Sequence, residues 1–382
     1  MNIFRYFSLL LIFTSAFAYP ESKVDFNKVF LELDKSVPLI LEEHDAPGVT
    51  IGFVEGNKIV GYKFYGFADI KKQTVFDENT MFNIGSISKV ATGWAVMKLV
   101  QDGKVDLDKP INNYLKRWKI PESNFNNQLV TLRNILSHTS GLSMGPVNGW
   151  DKFSDKSIID FLNGDNNDAG YVELIIEPNT QFSYSGGGYS VIQLLIEDVS
   201  GKSFNEFMTN KVFIPLGMTS TTFEVNEELM LRSATPYDQD GKATSMVYFT
   251  ATAAAGMHTT TRDLALFSSV LLKDEKGKFI GQKLLRKQWI LELIKPVKVT
   301  DNRMSLSYFI DKENEGFGFS GYNKGWIALT RTIVGRNYGY AILTNSNISP
   351  ITNEVDALIL KAVKENSQKK IKTRTSIRTL HK

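Results

Sequence analysis

The chain has 382 residues, with 44 Lys and Arg against 41 Asp and Glu, four His and no Cys. The lack of cysteine excludes disulfides, a cysteine nucleophile, thiolate zinc sites and iron–sulfur clusters, and leaves a large hydrophobic core to hold the fold together. His44, His138, His258 and His381 are scattered with no H-x-x-x-H pair, so no metal or other cofactor is expected.

In chain order, the first element is a leader. Arg5 supplies a positive start, 7–17 is apolar, and Ala16-Phe17-Ala18 is a small-x-small cleavage pattern. This predicts residues 1–18 as a signal peptide, with an apolar part short of the roughly 20 residues that span a bilayer. The chain is therefore expected to be exported, periplasmic or secreted, with no transmembrane span.

Residues 24–44 have helical spacing, with Val29, Phe30, Leu33, Val37, Ile40 and Leu41 near one face and Pro38 interrupting the pattern. Segments 49–55 and 59–68 read as strands around the turn Glu55-Gly56-Asn57-Lys58. A helix is expected over 90–102, buried through Ala91, Ala95, Val96, Leu99 and Val100 and stopped by Gly103. From 106 to 255, short helices (189–199 and 204–212 among them) alternate with polar loops such as 163–170. Strand patterning returns in 325–334 and 338–344, and 351–365 closes as an amphipathic helix.

Strands at both ends with helices between them predict an α/β (α+β) domain over 19–366. Its antiparallel sheet is built from about 45–85 and 300–366, flanked by helices, with a mostly helical insert within about 86–255. Residues 367–382 read as a disordered basic tail carrying Lys369, Lys370, Lys372, Arg374, Arg378 and Lys382. The body is mildly acidic, so no nucleic-acid partner is expected. The tail is either a solvated terminus or a peripheral contact with an anionic envelope surface.

Ser86 and Lys89 stand three apart at a helix start, where i and i+3 share a face and the amine can reach the hydroxyl. A serine hydroxyl needs a base to become a nucleophile, and a lysine serves only when burial or neighbouring charge keeps it neutral. The helix N-terminus adds backbone N–H groups where an oxyanion would form. Alone, S-x-x-K is a weak signal.

Its surroundings are more specific. The run Phe82-Asn83-Ile84-Gly85-Ser86-Ile87-Ser88-Lys89 is followed in order by Leu136-Ser137-His138-Thr139-Ser140-Gly141-Leu142, Tyr184-Ser185-Gly186-Gly187-Gly188-Tyr189 and Pro215-Leu216-Gly217-Met218. Together these resemble the serine β-lactamase-like family of class C β-lactamases, D-alanyl-D-alanine carboxypeptidases and serine esterases, from about residue 47 to about 350. The resemblance implies that Ser86 is the nucleophile, Lys89 its base, and Tyr184 the proton shuttle, with the neighbouring ammonium easing its deprotonation. It also implies an oxyanion hole from the N–H groups of Ser86 and Tyr322 beside Ser320-Gly321, and a substrate-carboxylate contact at Asn345.

Two positions depart from the family pattern. Gly186 stands where the second motif usually has Asn, leaving the lysine without that partner and opening space. Phe319 stands where the third motif usually has Lys or His, removing a charge that would hold a substrate carboxylate. His138 and His258 are expected to be structural. Gly141-Leu142-Ser143-Met144-Gly145 matches the G-x-S-x-G elbow, but it lacks the required preceding strand and following helix, so Ser143 is read as a loop residue.

The sequence thus predicts an exported serine hydrolase working through an acyl-enzyme on a small ester or amide, or on a cell-wall peptide, with weak or no β-lactamase activity. A catalytically weak envelope binding protein of the same fold is the alternative, motivated by Gly186 and Phe319.

Overall fold

The computed structural model describes residues 24–145, 156–164 and 170–379, with side chains described through residue 366. The predicted leader, and parts of the loops around 146–155 and 165–169, lie outside the described residues.

Seven strands form one antiparallel sheet: β1 (Gly48–Glu55), β2 (Lys58–Asp69), β3 (Thr74–Val75), β6 (Phe309–Asp311), β7 (Gly316–Asn323), β8 (Trp326–Ile333) and β9 (Tyr338–Thr344), in the spatial order β3-β2-β1-β9-β8-β7-β6. β4 (Met81–Asn83) and β5 (His258–Thr260) make a separate two-stranded ribbon. The antiparallel sheet drawn from both ends of the chain is the architecture expected from the sequence. β1 joins the two ends, pairing Val49 with Tyr65 of β2 on one side and with Thr344 of β9 on the other. Its Val49, Ile51, Phe53 and Val54 are fully buried because both faces of the sheet are covered.

One face is covered by α1 (Phe26–Glu43) and by the last helix, α7 (Pro350–Thr379). Phe26, Val29, Leu33, Val37 and Leu41 recur at helical spacing and bury together with Ile351, Val355, Ile359 and Val363. Pro38 lies inside α1 instead of ending it: its own side chain is exposed, while buried Val37 and Leu41 hold the helix down on either side. A polar clamp fixes α7 to the sheet. Arg331 donates to both Asp356 carboxylate oxygens at 2.7 Å, and the Tyr340 hydroxyl donates to Asp356 at 2.6 Å. α7 continues through 367–379, so backbone helix covers much of the segment read from sequence as a disordered tail. Among the described residues no helix is long and apolar enough to cross a membrane.

The opposite face carries α2 (Ser88–Gln101), α3 (Leu132–Leu136), α4 (Gly186–Ser200), the short α5 (Thr252–Ala255) and α6 (Thr261–Ser268), together with further short helices. α2 is buried nearly all round, from Val90 and Ala91 through Trp94, Val96 and Met97 to Leu99. It forms the spine on which the functional residues converge. Strands β6 and β7 had no clear strand signal in the sequence, because Gly316, Gly318 and Gly321 dilute the alternation that marks β7.

Candidate active site

Ser86 lies on a single 3₁₀ turn, Gly85–Ile87, between β4 and α2. Gly85 has φ +51°, and a Cβ there would stand 2.6 Å from Tyr322 N. The facing residue is equally constrained: a Cβ on Gly321 would meet Ile84 O at 1.9 Å and Ser86 N at 2.8 Å. Two glycines thus let β7 meet the Ser86 turn backbone to backbone.

Side-chain amides brace the turn. Asn83 Oδ1 accepts from Gly85 N at 2.9 Å and also from Asn323 Nδ2, whose amide reaches Ala255 O at 2.9 Å. Ser88 Oγ donates to Gly85 O at 2.6 Å and accepts from Met257 N at 2.9 Å. His258 pairs with Asn83 through the β4–β5 ribbon, and its Nδ1 donates to Gly256 O at 3.1 Å. Burial holds the His258 imidazole down to about 4, so it stays neutral in this scaffold role.

Lys89, on the first turn of α2, is 2 % exposed. Its Nζ is 3.2 Å from Ser86 Oγ and donates to the Ala254 carbonyl at 2.7 Å. Burial pulls the amine down from 10.5 to about 7. Gln193 of α4 secures that carbonyl's helix: its Oε1 accepts from Ala253 N at 3.1 Å and Thr252 Oγ1 at 3.3 Å, and its Nε2 donates to Thr250 O at 3.1 Å. The loss of asparagine at position 186 therefore leaves the lysine with a main-chain partner. Nor does Gly186 open free space, because a Cβ there would meet Met144 O at 3.0 Å and its Sδ at 3.4 Å.

Tyr184 completes the group. Its ring centre lies 5.0 Å from Lys89 Nζ, and its hydroxyl interacts with Ser86. The expected easing of its deprotonation is not found: burial pushes the phenol up to about 12, and the interaction with Ser86 offsets this only in part. His138 stacks on Tyr184 with ring centroids 4.3 Å apart and planes 29° apart. It is held in left-handed backbone (φ +56°), and its Nδ1 accepts from Ser185 N at 3.1 Å. Burial first, and the nearby Lys89 second, keep its pKa well below 6.5, so it stacks as a neutral ring.

The other predicted residues divide. Ser320 and Tyr322 flank Gly321 on β7 and are exposed, but strand alternation turns their side chains to the sheet face opposite the one that Gly321 packs on the Ser86 turn. Asn345 is elsewhere: it is fully buried, and its Nδ2 donates to Phe67 O, Ala68 O and Thr235 O at 3.2, 3.2 and 3.0 Å. That amide ties the end of β9 to the 67–68 and 235 segments and is not presented to a substrate, which corrects the carboxylate contact expected from sequence. Ser143 is also away from the group, donating to Tyr171 O and accepting from Glu173 N, both at 3.1 Å. No sequence motif points to the Ala254 carbonyl, because a backbone acceptor carries no residue signature. Gln193 and Asn323 were likewise missed, although both are amides placed to bind main chain.

A model of the Beta-lactamase family matches residues 29–364, and the chain belongs to that family. Protein flp of Staphylococcus aureus (strain N315) is 29% identical over 244 residues, covering 61% of this chain and 47% of that protein. The putative penicillin-binding protein PbpX of Bacillus subtilis (strain 168) is 27% identical over 244 residues, covering 63% and 58%. The chain thus spans only about half the length of the curated relatives it matches. Among solved structures, the octameric penicillin-binding protein homologue from Pyrococcus abyssi superposes with TM-score 0.67 at 22% identity, covering 88% of this chain and 78% of that one. SurE with D-Leu gives TM-score 0.71 at 20% identity, covering 90% and 76%. At these identities the structures show a shared fold.

Proposed function

We propose that the protein is an exported serine hydrolase that cleaves ester or amide bonds through an acyl-enzyme on Ser86. The observation that carries this reading is Lys89 Nζ at 3.2 Å from Ser86 Oγ, with the amine brought by burial to about 7. At neutral pH a large share of Lys89 is uncharged and able to take the Ser86 proton. Ser86 Oγ then bonds to the carbonyl carbon, and the oxyanion faces the N–H groups of Ser86 and Tyr322. Collapse breaks the bond to the leaving alcohol or amine, which takes a proton through Tyr184. The phenol stays protonated at working pH and so serves as donor and relay. Water, deprotonated by the same pair, releases the acid and restores Ser86.

With Gly186 and Phe319 in the two substrate-binding motifs, an esterase or D-alanyl/cell-wall-type hydrolase is favoured over an efficient β-lactamase. The same two residues motivate the second reading, a catalytically weak penicillin-binding-like envelope protein. A fluorophosphonate probe with peptide mapping separates them. Labelling at Ser86 with ester turnover, both abolished in Ser86→Ala, supports the hydrolase. A folded protein that neither labels nor turns over ester supports the binder, and turnover lost in Ser143→Ala but kept in Ser86→Ala overturns the site.

A further inference from the structure

Along β7 alternate side chains share a face, and Gly321 fixes which face that is, because it packs on the nucleophile turn. Phe319 and Phe317 point the same way. Phe317 reaches inward to Tyr308 at 5.9 Å, and the Tyr308 hydroxyl accepts from Trp94 of α2 at 2.9 Å. Phe319 therefore lies between that core and the Ser86 turn. It is 5 % exposed, and what covers it is aromatic: Phe309 of β6, at 5.1 Å between ring centroids and 38 % exposed. Phe309 continues to half-buried Phe182 at 6.4 Å, Phe182 to His138 at 6.0 Å, and His138 to Tyr184 at 4.3 Å.

An aromatic band thus runs from the phenol at the reacting serine to the sheet edge. On the other face of the sheet, beyond the edge at Phe309, a cavity of about 360 Å³ is lined by Ile310, Gly318, Ser320, Leu329 and Arg331 among others, apart from the Ser86 turn. Two charged residues on that lining, Asp311 and Arg331, are paired with each other, and Arg331 is further held by Asp356. Arg303 stands over Phe182, its guanidinium carbon 5.9 Å from the ring centre.

Resting on the hydrolase reading above, we infer that Phe182, Phe309 and Phe319 form a specificity wall that selects substrates whose group next to the scissile carbonyl is uncharged and apolar, and rejects those carrying a carboxylate there. Aromatic faces gain from covering alkyl or aryl groups, whereas a short carboxylate brought against the three phenylalanine rings loses its water and gains no hydrogen-bond donor from them. A cationic side chain at position 319 would reverse that balance.

The test uses two esters of equal length that differ at one end: p-nitrophenyl butyrate, ending in methyl, and p-nitrophenyl hemisuccinate, ending in carboxylate. Wild type is expected to favour the butyrate in kcat/KM by about tenfold or more, the range open to one unsatisfied polar group. Phe319→Lys is expected to bring the ratio to one or below. Because Phe319 is buried and its variant risks misfolding, Phe309→Ser at the exposed sheet edge is the second variant, expected to lower the same ratio several-fold. Equal use of both esters by wild type, or a ratio unmoved in folded Phe309→Ser, overturns the wall while leaving the hydrolase reading intact. Failure of both esters to acylate Ser86 overturns the two together.

Discussion

Lys89 Nζ is closer to the Ala254 carbonyl oxygen, at 2.7 Å, than to Ser86 Oγ, at 3.2 Å. A carbonyl fixes the amine in place without the full negative charge of a carboxylate, which would favour the ammonium and hold the base protonated. The site therefore orders its lysine and leaves it near neutrality.

The first consequence is a pH profile. In the proposed mechanism the active form of Lys89 is the unprotonated one, and burial brings its pKa to about 7, so kcat/KM for an activated ester is expected to rise as pH increases through about 7 and to level off above it. With the phenol at about 12, Tyr184 contributes no alkaline limb in the ordinary assay range. An acid limb centred near 10 would show that burial does not tune the amine. Lys89→Arg keeps a cation that cannot be discharged and is expected to lower kcat by about 10³-fold.

Tyr184→Phe keeps the ring stacked on His138 and removes only the hydroxyl. The expected result is a fall in kcat of about 10²- to 10⁴-fold with little change in thermal midpoint. Under the proposed mechanism, in which the phenol relays protons in each step, single-turnover measurements should place the loss in both acylation and deacylation. A variant with wild-type kcat would remove Tyr184 from the mechanism.

Gly321→Ala puts a Cβ 1.9 Å from Ile84 O, where only backbone can yield. A destabilisation of about 2–4 kcal/mol is expected from such a forced separation, read by urea unfolding. Acylation of Ser86 should fall with it. Stability equal to wild type would mean that β7 and the Ser86 turn are less closely apposed than described.

Gln193→Ala removes the amide that makes three hydrogen bonds to 250–253 and leaves Ser86, Lys89 and Tyr184 untouched. Loosening α5 displaces the Ala254 carbonyl, so kcat is expected to drop by about tenfold with KM nearly unchanged. An unaltered kcat would show that the carbonyl is held without Gln193.

The parts of the site legible in the sequence were side chains at fixed local spacing. Ser86 and Lys89 are one helical turn apart, so their meeting follows from helix geometry alone. Tyr184 was found through the ordered motifs around it, since nothing local links it to residues nearly a hundred positions earlier. What escaped was set by tertiary packing. The direction of the Tyr184 shift depended on weighing burial against a nearby amine, and only coordinates supply the burial. Asn345 looked like a ligand contact because its position, not its surroundings, was all the sequence offered. β7 was blurred by the glycines that permit its contact with Ser86, so the feature that builds the site also hid the strand.

The strand order also bears on how the protein comes into being. Synthesis delivers β1 and the Ser86–Lys89 turn early, yet β1 lacks its β9 partner and the turn lacks its β7 wall until residues 316–344 exist. Such long-range pairing slows folding and leaves apolar strands such as β1 uncovered meanwhile. On the proposed acyl-enzyme reading, Ser86 is expected to stay unreactive in a nascent chain until residues 316–344 have emerged and folded against it.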